Sequence, residues 1–437
     1  MHLCNSILIA KSTSNMHKIN FYVFLFCLFF VSNISFSQLT TPFSSLNSIG
    51  ELNDNSFANN LAMGGLGISN GSYWHLNNQN PAALVYNRFT VFEMGLSADV
   101  RQIINSTSKD INGNGNINHI GFGIPLIKGG KWVSSMGFNP YSTVSYNLAD
   151  MQLVDQSSAL VRFEYSGTGG LTEAYWAHGF KLSKEIALGL KGSYIFGKIT
   201  NTTSAQLSNE NQFYSTYFEE SLYNDVTLNA GFFYKKEIIE NKFIKVGLVY
   251  DLKSSLNAER FSRLERRIPG SSSPVALDTL LKNELSSFSI PRGYGIGISY
   301  EILDKVSFGF EMKVQPWNSL SGFSDNSSIF YRNAFQLSAG LEIIPDAENV
   351  NSYLKRVTYR TGIIYKSMPY LINGGDINNI GVSFGLSLPV GAISRINLAC
   401  EFGSRGNIAN TLIKERYLRL IVGSSINNIW FIKRKFD

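Results

Sequence analysis

From residue 89 to its end the chain repeats one pattern, stretches of roughly ten residues in which apolar and polar side chains alternate. Successive residues of a strand face opposite sides, so each stretch predicts a strand with one apolar face. The segment 305–314 is the clearest. Val306, Phe308, Phe310, Met312 and Val314 share one face, and Lys305, Ser307, Gly309, Glu311 and Lys313 share the other. Ile380, Val382, Phe384, Leu386 and Leu388 oppose Gly381, Ser383, Gly385 and Ser387 in the same way. Two exceptions stand out: Phe233 interrupts the polar face of the stretch from Val226, and Val249 that of the stretch from Val246. A helix would need apolar residues three and four apart, which these runs lack. The polar faces are built mainly of Gly and Ser with scattered charges, which suits a filled or narrow barrel interior better than the outside of a soluble sandwich.

Connection lengths extend the reading. Short turns fall near 127–130, 183–185, 239–242, 303–304 and 389–393. Long polar connections fall near 100–116, 200–222, 257–289, 317–332, 367–377 and 405–414. Short and long alternate, as they do in outer-membrane barrels with short periplasmic turns and longer outer loops. Termini on one side require an even number of strands, which is met by reading 147–170 as a single long outer loop. The prediction is an all-β transmembrane antiparallel barrel of about 14 strands over 89–437, with strands near 89–99, 117–126, 131–146, 171–183, 186–199, 223–238, 243–256, 290–302, 305–316, 333–344, 355–366, 378–389, 393–404 and 415–427.

Composition agrees. Only 16% of residues are charged, 13% are aromatic and 38 are glycine, while mean hydropathy is −0.02. A helical membrane protein would show several apolar runs of about 20 residues, and beyond residue 37 there are none. The start of the chain reads as a secretory leader over 1–37: Met16-His17-Lys18 is a short basic start, residues 21–34 are the apolar core, and Ser35-Phe36-Ser37 supplies small residues for cleavage before Gln38. On that reading Met16 competes with Met1 as initiator. Cys4 and Cys27 leave with the leader, so Cys400 stands alone and neither a disulfide framework nor a multi-Cys metal site is expected. The remaining net charge of +4 is too mild to argue for nucleic acid.

Residues 38–88 do not alternate. They contain Ala62-Met63-Gly64-Gly65-Leu66-Gly67 and, further on, Asn80-Pro81-Ala82. A barrel of this size has room for a plug, and glycines allow tight turns against packed walls, so this segment is expected to be a hatch. A simple turn before the first strand is the plainer account of Asn-Pro. At these residues the sequence resembles the long-chain fatty acid transporter family (FadL-like), including its Bacteroidota relatives of the PorV type. The resemblance spans roughly 57–437 and rests on short motifs. It implies an N-terminal hatch holding Gly64, Gly65, Gly67, Asn80, Pro81 and Ala82. It also implies a kinked third strand, for which Asn139-Pro140 is the candidate lateral opening, because proline cannot donate to a strand ladder; the plainer account puts Pro140 at the strand's outer end, where pairing stops anyway. None of the family's ligand-contacting residues is matched.

Chemistry that would mark an enzyme is missing from the sequence. His75, His119 and His178 have no metal-ligand spacing. The DINGNGNIN stretch at 110–118 spaces oxygens like a calcium loop, but Gly121 stands where the closing Glu is needed, and it is read as a flexible outer loop. No metal and no cofactor are expected. Glu93, Lys191, Asp251, Glu311, Lys313, Glu342, Arg360 and Glu401 fall on polar strand faces and are expected to face the lumen, pairing strands or lining a passage. The function expected is passive outer-membrane transport of small hydrophobic molecules. The alternative is a non-transporting partner in protein secretion or barrel assembly, with 257–289 as its docking loop. The partners expected are membrane lipid and either an apolar molecule or another protein.

Overall fold

Fourteen antiparallel strands follow one another in chain order and close on themselves. The computed structural model describes residues 40–430 apart from 55, 154–159, 208–212, 272, 320–328, 373, 392 and 412. The leader expected at 1–37 and the end at 431–437 lie outside the described residues.

The strands are β1 (Thr90–Ile104), β2 (Lys109–Ile127), β3 (Trp132–Leu153), β4 (Leu160–Lys181), β5 (Ile186–Leu207) and β6 (Tyr214–Ile239). Each of the next two is interrupted: β7 runs over Lys242–Asp251 and Ser254–Arg267, and β8 over Ala276–Ile290 and Gly293–Ile302. Pro291 lies in the second break, where no ladder N–H is required. Then come β9 (Val306–Gln315), β10 (Ala334–Ile343), β11 (Thr358–Ile372), β12 (Gly375–Val390), β13 (Ser394–Arg405) and β14 (Lys414–Asn428). A short piece, Ile329–Tyr331, extends β10 along β11. The wall closes where β14 pairs with β1, from Lys414 opposite Ile104 to Asn428 opposite Thr90.

The predicted alternation sets the two faces. Phe308 and Phe310 are about half exposed, whereas Glu311 between them and Met312 is 2% exposed. Leu96, Ile298, Phe384 and Val422 continue the apolar outer belt, and Ser299, Ser383 and Ser425 are buried on the inner side. Such an outward apolar band belongs in lipid, and the fold is that of an outer-membrane barrel. The turns at the end where β1 begins and β14 ends are short except for 344–357 between β10 and β11, which holds a helical turn over Tyr353–Arg356. Asn241 makes one of them in the left-handed region (φ 60°), which asparagine tolerates.

The strand number agrees with the alternation, but several expected loops do not. The connections read at 100–116, 147–170, 200–222 and 257–289 are mostly strand: they are the outer parts of β1–β8. The calcium-loop look-alike at 110–118 is likewise part of β2, with Asp110 opposite Ile103 and Asn116 opposite Ser97. Above the lipid both faces of a hairpin meet water, so alternation fades while the backbone ladder continues. Polarity therefore marked where the membrane stops rather than where the strands stop.

Candidate functional site

The site is built from two parts, the inward side chains of the wall and the segment that precedes β1. The described residues of that segment fold against the inner faces of the strands. Its turns begin with Pro42–Leu46, continue through Ala58–Leu61 and end with Pro81–Tyr86. Gly64 and Gly65 follow the second turn in the left-handed region, with φ of 70° and 84°, a conformation costly for any residue with a Cβ.

Glycines on the wall face this segment at very short range. A Cβ on Gly189 would lie 2.2 Å from the Ala82 nitrogen, and one on Gly231 2.2 Å from Asn80 Oδ1. One on Gly247 would meet the Ile68 oxygen at 1.9 Å, and one on Gly362 the Gly64 nitrogen at 2.1 Å. The Gly-rich inner faces thus receive the backbone of the AMGGLG and NPA motifs.

The Asn80-Pro81-Ala82 motif does more than turn the chain. Asn80 Oδ1 accepts the Ala82 N–H at 3.0 Å and caps the last turn, with Pro81 at its first position. The Asn80 amide donates to the Ile68 oxygen at 2.8 Å and to the Phe232 oxygen of β6 at 3.1 Å. One side chain therefore joins the turn, the glycine loop and the wall.

Half of the inward charges named from sequence hold the segment. Glu311 accepts N–H bonds from Gly67 (2.9 Å) and Ser69 (2.7 Å) and the Ser69 hydroxyl at 3.0 Å. Glu93 accepts the Leu76 N–H at 2.8 Å and the Ser425 hydroxyl at 3.0 Å. Lys191 pairs with Glu173 at 3.1 Å and donates to the Asn78 oxygen at 3.3 Å. Lys313 donates to Gln79 Oε1 at 2.6 Å. Arg360 and Glu342 pair strand to strand at 2.6 Å, and Glu401 accepts the Tyr417 hydroxyl at 2.6 Å. Asp251 accepts from Asn229 Nδ2 at 2.5 Å and opens onto a cavity.

Sequence reasoning missed a buried four-charge cluster. Arg405 donates to both Glu51 (2.5 Å) and Glu415 (2.5 Å), and Arg101 lies 3.3 and 3.5 Å from the same two carboxylates. Burial alone would raise the Glu51 pKa, but Arg405 and Arg101 hold it well below the usual carboxylate range. Its members come from the segment, β1, β13 and β14, so no local spacing could reveal it.

The wall itself has one discontinuity beside this cluster. β2 and β3 pair only from Ile127 opposite Trp132 to Ile120 opposite Phe138. Just beyond, β3 carries Asn139 and Pro140, and its register against β4 slips between Pro140 and Ser142. The outer half of β3 turns its free edge to the segment instead. Glu51 and Leu52 pair with Thr143 and Ser142, the Asn53 N–H reaches the Tyr141 oxygen at 2.9 Å, and the Thr41 N–H reaches the Ser145 oxygen at 2.6 Å. Asn139 donates to Glu173 at 2.6 Å.

Inside, on the same outer half, Ile49, Val144, Leu171, Ile195, Leu256 and Trp317 belong to one buried apolar cluster. Adjoining it is a cavity of about 340 Å³, lined by Leu252, Ile290 and Trp317 and by charged residues including Lys191, Asp251, Lys313 and Lys366. Among the described residues no group of His, Cys, Asp or Glu is arranged to hold a metal ion.

A closed fourteen-strand barrel with an N-terminal segment bound to its inner wall has the architecture of an outer-membrane barrel. The family model described as BamG matches residues 16–437. The chain belongs to the BamG family. No curated protein matches it in sequence. Among solved structures it is similar in fold to the Pseudomonas putida toluene transporter TodX, at 14% identity and a TM-score of 0.59, over 87% of this chain and 100% of that one. It is also similar to the monoaromatic hydrocarbon channel CymD (12%, 0.54, 87% and 99%) and to the Ralstonia pickettii toluene transporter TbuX (13%, 0.54, 86% and 99%).

Proposed function

We propose that this barrel is a passive outer-membrane channel for small hydrophobic molecules, with residues 38–88 as its hatch. The observation that carries this reading is the interrupted pairing of β2 and β3 beside the inner apolar cluster. An apolar molecule entering from the long-hairpin end would rest among these side chains. Withdrawal of residues 41–53 from the β3 edge would let it leave sideways into lipid, without crossing the charged cavity. The fold shared with toluene and hydrocarbon channels supports this reading. No coupling device is invoked, and movement follows the gradient.

The test is deletion of residues 43–84 followed by reconstitution into liposomes. The barrel should fold and its permeability to toluene should rise. Unchanged permeability in a folded variant would remove the hatch from the account.

One observation favours a second reading, a partner in protein secretion or barrel assembly, akin to the PorV-type Bacteroidota relatives. The outer part of β8, Ala276–Ile290, is exposed along most of its length. It presents Leu277, Leu280 and Leu285 at 52%, 52% and 84% exposure. Apolar side chains so placed on an outer hairpin suit contact with another protein. Co-purification of a stoichiometric partner that is lost on changing these leucines would favour this reading.

A further inference from the structure

The lumenal cavity has a chemistry that a passage for pure hydrocarbon does not need. Three of its wall charges, Asp251 on β7, Lys313 on β9 and Glu401 on β13, have no oppositely charged group within 4 Å among the described residues, and Glu401 accepts the Tyr417 hydroxyl. Asp251 is bound only by the Asn229 amide, and Lys313 donates only to the neutral amide oxygen of Gln79. The cavity's other basic residues, Arg101, Lys191, Lys366, Arg405 and Arg419, are all paired with carboxylates.

Asp251 and Lys313 stand on the two strands that border β8. On β8 between them, Gly293 stands opposite Asp251 and Gly295 opposite Lys313. The space over Gly295 is taken by the side chains of Val249 and Ile68, and that over Gly293 by Asp251 itself. Adjacent strands lie about 4.8 Å apart, so the carboxylate and the ammonium belong to strands two spacings apart, and both line the cavity. Polar atoms without a partner also line this cavity: Asn229 Oδ1 and Asn78 Nδ2, in residues 8% and 4% exposed, and Ser254 Oγ. Unpaired buried polar atoms cost free energy until a ligand or water satisfies them. Leu252, Ile290 and Trp317 border the same space.

We infer that this cavity is a binding site for a zwitterionic amphiphile: a head with one cationic and one anionic group, carrying a short apolar chain. The cationic group meets Asp251, the anionic group meets Lys313, and the chain lies against Leu252, Ile290 and Trp317. A hydrocarbon leaves both charges unanswered. A simple carboxylate answers Lys313 and is repelled by Asp251, and a simple amine meets the reverse. The inference deepens the channel reading and rests on it for the route by which the molecule arrives.

The experiment is calorimetric titration of the full-length barrel in lipid nanodiscs, corrected against empty nanodiscs, with hexyl betaine, hexanoate, hexylammonium and hexanol. Hexyl betaine should bind at least ten-fold more tightly than each of the others. Asp251→Asn should lower betaine affinity about ten-fold and bring it level with hexanoate. Lys313→Met should bring it level with hexylammonium. Asp251→Glu and Lys313→Arg, which keep the charges, should retain the preference and guard against a variant that fails to fold. Equal binding of hexanol and hexyl betaine, or a preference untouched by both charge-removing variants, would overturn the inference. Toluene flux through the 43–84 deletion variant is read separately. A barrel that passes toluene but shows no head-group preference loses this site and keeps the channel reading. One that binds betaine selectively but passes no toluene does the reverse.

Discussion

The carboxylate of Glu311 on β9 accepts the backbone N–H of Gly67 at 2.9 Å, from a residue 244 positions earlier in the chain. The same carboxylate takes the Ser69 N–H and hydroxyl. Hydrogen bonds to a charged acceptor contribute about 1.5–3 kcal/mol each, and donors left buried without one cost a similar amount. Glu311→Leu should therefore loosen the glycine loop by about 2 kcal/mol or more while the wall stays closed. Hydrogen exchange followed by mass spectrometry should show faster exchange at residues 64–70. Unaltered exchange there would mean that the loop is held by packing alone.

The close approach of wall and segment gives a second expectation. Gly189→Val should push Pro81 and Ala82 out of place, because the atoms it would meet are backbone and cannot rotate away. Gly192→Val, three residues on, meets only the end of Leu228 at 3.7 Å and serves as the control. Both variants should keep the heat-modifiable migration of a folded barrel, and only the first should be cut by protease within 78–88. Cleavage of both would remove the special status of the glycine floor.

Acid should weaken the hold on the segment. His75 is 2% exposed and lies 3.0 Å from the Ser425 hydroxyl and 3.7 Å from Glu93. Burial pushes its pKa below the ordinary value of 6.5, and the pull of Glu93 offsets this only in part, with Arg360 and Arg395 opposing protonation too. The unfolded segment thus binds a proton that the folded one does not. The stability is fully present above about pH 6.5 and is lost as pH falls below it. Protease resistance of residues 70–80 should be lower at pH 5.5 than at pH 7.5, and His75→Asn should flatten this difference. Equal pH dependence in the variant would assign the effect to another group.

Leu285 on the outer part of β8 separates the two functional readings. It is 84% exposed, so Leu285→Asp should change barrel stability by no more than about 0.5 kcal/mol. Thermal unfolding in detergent checks that point. If a protein partner docks on this hairpin, the substitution together with Leu280→Asp should abolish its co-purification while toluene permeability is unchanged.

The wall was legible because lipid imposes a rule on every second residue. It was least legible where that rule lapses. Above the membrane, Asp110 and Asn116 remain in a strand whose stretch 112–116 is only Asn and Gly, so no alternation betrays it. Within the membrane, the two breaks in alternation turn out to be informative. Phe233 is fully buried, 5.0 Å ring to ring from Tyr86 of the segment, and Val249 faces inward beside Gly295 and the cavity. An apolar residue on the polar face marks a place where the interior is packed with protein. The partners of the lumen charges were not legible: Glu51, Arg101, Arg405 and Glu415 meet only because the wall closes.

The first and last strands meet along a seam in which Thr90 faces Asn428. The segment that packs against the inner wall lies earlier in the chain than any of the strands of that wall. Leu76 is already bound to β1 through Glu93, and the loop at 67–69 to β9 through Glu311. The enclosed segment can thus act as a former around which the sheet curls, recording the curvature that the final strand must match. A shortened segment would leave the sheet free to close at the wrong radius, so the cost of such a change would appear first in the yield of closed barrels during biogenesis and only afterwards in the behaviour of those that form.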